Sequence, residues 1–140
     1  MFLEYLSERQ QQSFLALATR MVLADGDVAP EEDTALDACK ATMGEGVTAP
    51  AAEIFGATNT EVLDSRQVRI FVTFEVLVLM ISDQHIHTDE SKVLDEICAA
   101  LEISEQDLKI LRGMVIRANS SPDAVEEKSI RDAVIKLADG

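Results

Sequence analysis

The chain carries one pattern twice. The segment 22–32, VLADGDVAPEE, aligns without a gap with 80–90, MISDQHIHTDE, so that Asp25 falls opposite Asp83. We call this alignment, extended along the chain without a gap, the repeat register. In each copy an apolar run ends at an Asp, a short polar loop carries one aliphatic residue, and an acidic pair opens a second helical pattern. A helix, an acidic turn and a helix that occur twice predict a fold built around a pseudo-two-fold pair of such units.

The rest of the chain predicts an all-α protein. Apolar residues recur at helical spacing, and no stretch alternates apolar and polar residues for long enough to indicate a strand. The length of 140 residues suits one domain, and we expect residues 1–140 to form a bundle of about seven helices. The two repeat units cover about 14–43 and 72–101 within it.

Residues that favour helix starts mark the beginning of most of these helices. They are Ser7 (in a capping box with Gln10), Pro30, Thr48, Thr88, Ser104 and Ser121–Pro122. The first helix should run to about Ala24, and Gly44 should end the second. The short third helix, capped by Thr48, should run through Phe55. The nearly continuous apolar run 66–81 predicts the most buried helix. The last helix should place Val125, Ile130, Val134 and Leu137 on its core face.

The charge of the chain restricts its partners. There are 26 acidic and 12 basic residues, which gives a formal net charge of −14. Such a surface repels phosphate backbones and anionic lipid headgroups, so we expect neither nucleic acid nor membrane insertion, and basic protein surfaces or cations are better partners. The longest apolar run, 70–81, contains Glu75 and is shorter than the ~20 residues of a membrane span. Residues 1–9 lack the basic start of a signal peptide, which predicts a cytoplasmic protein.

The two cysteines are predicted to be core residues. Cys39 and Cys98 each fall within an apolar helical pattern, where a free thiol acts as a small hydrophobic group. The alternatives are a disulfide between them or a redox or metal-binding role.

The two acidic turns are the candidate site. Hard divalent cations such as Ca²⁺ bind oxygen ligands, and closely spaced carboxylates in a turn can supply them. The candidate ligands are Asp25, Asp27, Glu31 and Glu32 in the first turn and Asp83, Asp89 and Glu90 in the second. The ligand spacing of an EF-hand loop is missing. The competing interpretation is that these carboxylates stabilise helix N-termini and fix the turns, as acidic residues commonly do there.

His85 and His87 are weaker candidates for metal ligands. Imidazole suits zinc, copper and nickel, and Asp83 and Asp89 flank the pair. The chain has no third histidine, and no cysteine lies nearby in sequence, so the simpler interpretation is that both histidines are solvated loop residues.

Catalytic motifs are missing from the sequence. It contains no glycine-rich phosphate loop, no nucleophile elbow and no paired-cysteine motif. We therefore expect a protein that is not an enzyme, with a small metalloenzyme as the least favoured alternative.

The segment 24–32, ADGDVAPEE, resembles the signature of the TerB-like family, the tellurite-resistance proteins and their relatives. In that signature an apolar helix ends in Ala-Asp-Gly, an Ile or Val follows after one residue, and an acidic pair opens the next helix. The second copy matches at Asp83, Ile86 and Glu90 but has Gln84 in place of Gly.

This resemblance implies an internally duplicated helical domain that is associated with tellurite resistance and stress responses. It also implies that the acidic residues of both turns, Asp25, Asp27, Glu31, Glu32, Asp83, Asp89 and Glu90, bind a divalent cation. The family includes modules attached to J-domain co-chaperones, so a scaffold that binds other stress-response proteins and has no metal role is the alternative.

Overall fold

The structure, a computed structural model, describes residues 2–23, 30–44, 46–81, 88–120 and 123–139, and it describes side chains in the same ranges except for 30–35 and 88–90. This part of the chain forms seven α-helices and a short 3-10 turn at Leu3–Tyr5, with no strand. The helices are α1 (Glu8–Leu23), α2 (Pro30–Met43), α3 (Ala51–Ile54), α4 (Arg66–Ile81), α5 (Thr88–Ala100), α6 (Glu105–Ser120) and α7 (Ala124–Ala138). The predicted all-α bundle of about seven helices is confirmed.

The helix bounds follow the repeat register. Helices α1 and α4 begin and end at equivalent positions of the two units. Helices α2 and α5 also begin at equivalent positions, and α5 ends one position before the equivalent of Met43. The same apolar spacing therefore produces the same helix pair twice, because burial of the apolar stripe selects where each helix forms.

The buried residues of the second helix of each unit also correspond. Three pairs that the repeat register aligns are buried in both units, namely Leu36 and Leu94, Cys39 and Ile97, and Met43 and Leu101. The two helices thus present the same face to the core.

Helix α4 is the centre of the core. It contacts α1, α2, α6, α7 and the N-terminal turn, while α1 contacts α2, α3 and α5. Most residues of α4 are buried, which agrees with its nearly continuous apolar sequence. A helix that is apolar on all sides is stable only when other helices surround it.

The capping box at the start of α1 is present. The backbone N–H of Gln10 donates to Ser7 Oγ at 3.2 Å, and the backbone N–H of Ser7 donates to Gln10 Oε1 at 2.9 Å. Ser104 likewise caps α6, since its Oγ accepts from the backbone N–H of Asp107 at 3.1 Å. These N–H groups would otherwise lack partners at the start of a helix.

Other predicted helix starts are wrong by a few residues. Helix α3 begins at Ala51 rather than after Thr48, because Pro50 occupies the N-cap with an extended backbone and disfavours helical geometry in the residue before it. Helix α7 begins after Asp123, whose Oδ1 accepts from the backbone N–H of Glu126 at 2.7 Å. Thr88 is the first residue of α5 rather than its cap.

One burial prediction is also wrong, and one core residue was not predicted. Val125 is 82% exposed, because the core face of α7 is formed by Ile130, Val134 and Ala138. Leu63 lies in the polar connector between α3 and α4 and is completely buried. An apolar residue in a turn-rich segment has no periodicity to reveal it, so only its tertiary contacts identify it as part of the core.

Among the residues that the structure describes, no helix combines the length and apolar character that crossing a membrane requires.

Candidate functional site

The helices that flank the two acidic turns end and begin at equivalent positions. Helix α1 ends at Leu23 and α2 begins at Pro30, while α4 ends at Ile81 and α5 begins at Thr88. The turns themselves, 24–29 and 82–87, lie outside the described residues. The candidate ligands Asp25, Asp27 and Asp83 and the histidines His85 and His87 are in them, so their geometry stays a prediction.

The remaining candidate ligands belong to first helical turns. Glu31 and Glu32 lie in the first turn of α2, and Asp89 and Glu90 lie in the first turn of α5, with side chains outside the described part. A carboxylate in such a turn stabilises a helix by ~0.3–1 kcal/mol through the helix dipole and the free N–H groups. This position therefore agrees with both interpretations of the acidic residues, as cation ligands and as helix-end charges.

Apolar packing holds the helix ends that carry the turns. Met21 and Val22 at the end of α1 are buried, and so are Met80 and Ile81 at the end of α4. Ordinary core packing therefore holds the helix ends from which the two turns start.

Elsewhere in the described part of the chain, no group of three or more His, Cys, Asp or Glu side chains is placed to hold a metal ion. The divalent-cation hypothesis therefore depends on the two turns.

A polar network that the sequence did not predict joins α1 to α3. Glu53 is buried, its Oε1 accepts from Ser13 Oγ at 2.6 Å, and its Oε2 accepts from Arg9 Nη2 at 2.7 Å. Desolvation by itself would raise the pKa of Glu53, but the hydrogen bonds from Ser13 and Arg9 outweigh it and lower that pKa below its ordinary value. Glu53 is thus held as a carboxylate inside the protein.

Arg20 extends this network to the end of α3. Its Nη2 donates to the backbone carbonyl of Glu53 at 2.8 Å, and its Nε donates to the carbonyl of Ile54 at 3.3 Å. Burial lowers the pKa of Arg20, an effect that the nearby carboxylate of Glu96 partly opposes. The network satisfies the terminal carbonyls of a helix of only four residues, so its role is to fix α3 on α1.

The two cysteines are free and buried, as expected for core thiols, and the disulfide alternative is wrong. Burial raises the pKa of each thiol to about 11, with a further increase from the charge of Glu75 at Cys39 and of Asp95 at Cys98. A thiol with such a pKa is protonated at neutral pH and is a poor nucleophile and a poor metal ligand.

Comparison with protein-family models, with curated proteins and with solved structures finds no match to this chain. The resemblance to the TerB-like family therefore depends on the residues of the two acidic turns alone.

Proposed function

We propose that this protein is a non-catalytic, TerB-like helical domain that acts in a stress response of the tellurite-resistance type. In this proposal it binds a divalent cation such as Ca²⁺ weakly through its acidic turns. The first turn, with Asp25, Asp27, Glu31 and Glu32, binds more readily than the second, which has Gln84 in place of Gly and two histidines.

The observation that supports this proposal is the shared register of the helices around the two turns. Both acidic segments connect helices whose bounds are equivalent in the repeat register, and in that register Asp25, Glu31 and Glu32 align with Asp83, Asp89 and Glu90, while Asp27 aligns with His85. Carboxylates crowded into one short turn repel one another without a counterion, and a cation that relieves this repulsion stabilises the folded state.

Thermal melting in Ca²⁺ tests the proposal. The protein is melted in millimolar CaCl₂ and in KCl of matched ionic strength, because salt alone also screens the repulsion. We expect a Ca²⁺-specific rise in the melting temperature, which corresponds to ~2.7 kcal/mol when the free ion exceeds the dissociation constant a hundredfold.

Three double variants locate the effect. Asp25→Asn/Glu32→Gln should abolish the Ca²⁺-specific rise, and Asp83→Asn/Glu90→Gln should reduce it less. Glu61→Gln/Asp64→Asn removes the same charge from two exposed connector residues and should leave the rise intact. An equal rise in the first variant and the native protein would show that these carboxylates are ordinary helix-end charges.

A protein-interaction or co-chaperone-type scaffold is the second candidate. Exposed apolar side chains on the surface favour it, above all Phe55, which is 82% exposed. An open groove of about 430 Å³ on α6 adds apolar surface, with Ile110, Gly113 and Met114 between the basic residues Lys109 and Arg117. Single exposed apolar side chains are common on protein surfaces, so the groove on α6 is stronger support for this candidate than Phe55 is.

This alternative predicts a different result. The melting temperature would not respond to Ca²⁺, and a purified basic protein that binds the −14 surface would lose affinity as salt increases. Phe55→Ser and Ile110→Ser should each weaken that binding without altering the fold, since both side chains are exposed. Unchanged binding in both variants would exclude these surfaces.

A further inference from the structure

A cavity of about 300 Å³ lies at the start of α4, and none of its lining residues belongs to either acidic turn. It is lined by Arg66 and Arg69 and by the residues that follow α5, namely Leu101, Glu102 and Ile103. Two guanidinium groups thus line one cavity in a protein with a formal net charge of −14.

Arg69 uses only part of its guanidinium for the fold. Its Nε donates to the carbonyl of Leu63 at 2.6 Å and its Nη2 donates to the carbonyl of Thr60 at 3.3 Å, which ties the connector to α4. Its Nη1 lies 3.6 Å from Glu102 Oε2, beyond hydrogen-bond distance. The Arg69 side chain is only 18% exposed, and Glu102 is the ion-pair partner of its Nη1.

Arg66 also keeps unused donors. Its Nη2 donates to the carbonyl of Leu137 at 3.1 Å and to Asp107 Oδ2 at 3.3 Å. Its Nε and Nη1 donate to no acceptor among the residues that the structure describes. A guanidinium has five N–H donors, so both arginines have donors left for a ligand.

Glu102 has an unfavourable backbone conformation beside this cavity. Its φ is +58°, a left-handed value that it holds at the end of α5, where the N–H of Ile103 donates to the carbonyl of Cys98 at 2.9 Å. Glycine is the usual residue in this position because it has no Cβ. The Glu102 side chain is 83% exposed, so it is free to swing away from Arg69.

The first repeat unit provides an internal comparison. In the repeat register, Arg66, Arg69 and Glu102 align with Glu8, Gln11 and Gly44. Gly44 also has a positive φ, +102°, and Gln11 Nε2 donates to the carbonyl of Leu3 at 2.9 Å. Helix α1, the equivalent of α4, thus holds its preceding segment through the uncharged Gln11. Helix α2, the equivalent of α5, has a glycine at its end. The helix pair therefore forms without a charge at the positions of Arg69 and Glu102, and with the opposite charge, Glu8, at the position of Arg66.

We propose that this cavity binds a small free oxyanion, either inorganic phosphate or a short carboxylate, between Arg66 and Arg69. Without the anion, the Glu102 carboxylate lies beside Arg69 Nη1, and the anion displaces it on binding. Charge-assisted hydrogen bonds from Arg69 Nη1 and from the free donors of Arg66 hold the anion. The cavity volume of about 300 Å³ is sufficient for such an anion, since one water molecule takes only ~30 Å³ of liquid volume. This inference is independent of the acidic turns and of any cation.

Binding of the two anions is measured by thermal melting in potassium phosphate, potassium acetate and KCl at matched ionic strength, with a ³¹P NMR titration for phosphate. We expect phosphate or acetate to raise the melting temperature above its value in KCl, and the larger rise identifies the preferred anion. Glu102→Gln keeps the left-handed backbone conformation and the size of the side chain but removes the competing charge. It should therefore tighten anion binding about two- to fivefold. Asp37→Asn removes one exposed charge from α2, away from the cavity, and should not alter binding.

Arg66→Gln should abolish the anion-specific rise. If circular dichroism shows that this variant does not fold, Arg66→Lys replaces it and should weaken binding, because an ammonium lacks the forked donors of a guanidinium. The inference is overturned if neither anion acts differently from chloride on the native protein and on Glu102→Gln. Unchanged affinity in the Arg66 variant, or equal tightening in Asp37→Asn and Glu102→Gln, would also overturn it.

Discussion

The backbone N–H of Phe2 donates a hydrogen bond of 2.8 Å to Oε1 of Glu75, which joins the N-terminal segment to the middle of the central helix. The ring of Phe2 stacks on Phe71 at a centroid distance of 4.6 Å and meets the edge of Phe74 at 5.1 Å. Phe2 is completely buried, so the residues before α1 are part of the core.

Replacement of this side chain should therefore destabilise the protein strongly. We expect Phe2→Ala to cost ~3–5 kcal/mol, as for other buried Phe residues. Phe55→Ala is the matched control, because the same atoms are removed from a side chain that is 82% exposed, and it should stay within ~0.5 kcal/mol. Urea denaturation measures both, and similar midpoints would contradict the placement of Phe2 in the core.

The two repeat units should depend on their buried leucines far more than on their acidic turns. Leu77 is completely buried and Leu94 is nearly so. Leu77→Ala or Leu94→Ala should each cost ~2–5 kcal/mol, whereas Asp27→Ala should cost ~0.5 kcal/mol or less if its side chain is exposed. Chemical denaturation of the three variants provides the comparison, and equal midpoints would show that these burial assignments are wrong.

The buried carboxylate of Glu53 should make stability depend on pH. Its pKa is lowered in the folded protein, so the unfolded chain takes up the proton more readily. The stabilisation is present above the unfolded pKa of about 4.3 and is lost as the pH falls through the lower folded value. Glu53→Gln should consequently lose stability at pH 7 and approach the native protein in acid.

Denaturation at pH 7 and at acid pH tests this prediction. Glu61→Gln, at an exposed position, serves as the control and should remain close to the native protein at both values. A stability difference between Glu53→Gln and the native protein that does not change with pH would argue against the charged state of Glu53.

The cysteines should be unreactive in the folded protein. Because burial raises the pKa of Cys39 and Cys98 to about 11, the thiolate is scarce at pH 8. We expect slow alkylation by iodoacetamide in buffer and rapid alkylation of both thiols in urea, measured by mass spectrometry. Rapid alkylation of either thiol in buffer would mean that its helix opens readily.

Several features were predictable because they depend on neighbours in the sequence. The capping box of Ser7 and Gln10 and the Ser104 cap join residues three positions apart. The core faces of α2 and α5 follow from apolar spacing within single helices. The predicted burial of Val125 is wrong, because an apolar residue in the first turn of α7 fits the same periodicity whether or not another helix covers it.

For the candidate cation site, the sequence predicts only which residues gather in each turn. The sequence identifies which carboxylates gather in each turn, and the structure locates the helix ends on either side of them. The buried carboxylate Glu53 had no such signal, because a Glu in a short segment after Pro50 is typical of an exposed helix start.

The sequence by itself determined the helix content and the register of the two units, since periodicity and capping are local properties of the chain. Tertiary structure alone decided that Ser13 pairs with Glu53 and that Phe2 pairs with Glu75, each with a partner on a distant helix. It also decided that Arg66, Arg69 and Glu102 share one cavity. These contacts depend on which helices pack together. The sequence around a polar side chain does not identify its partner on a distant helix.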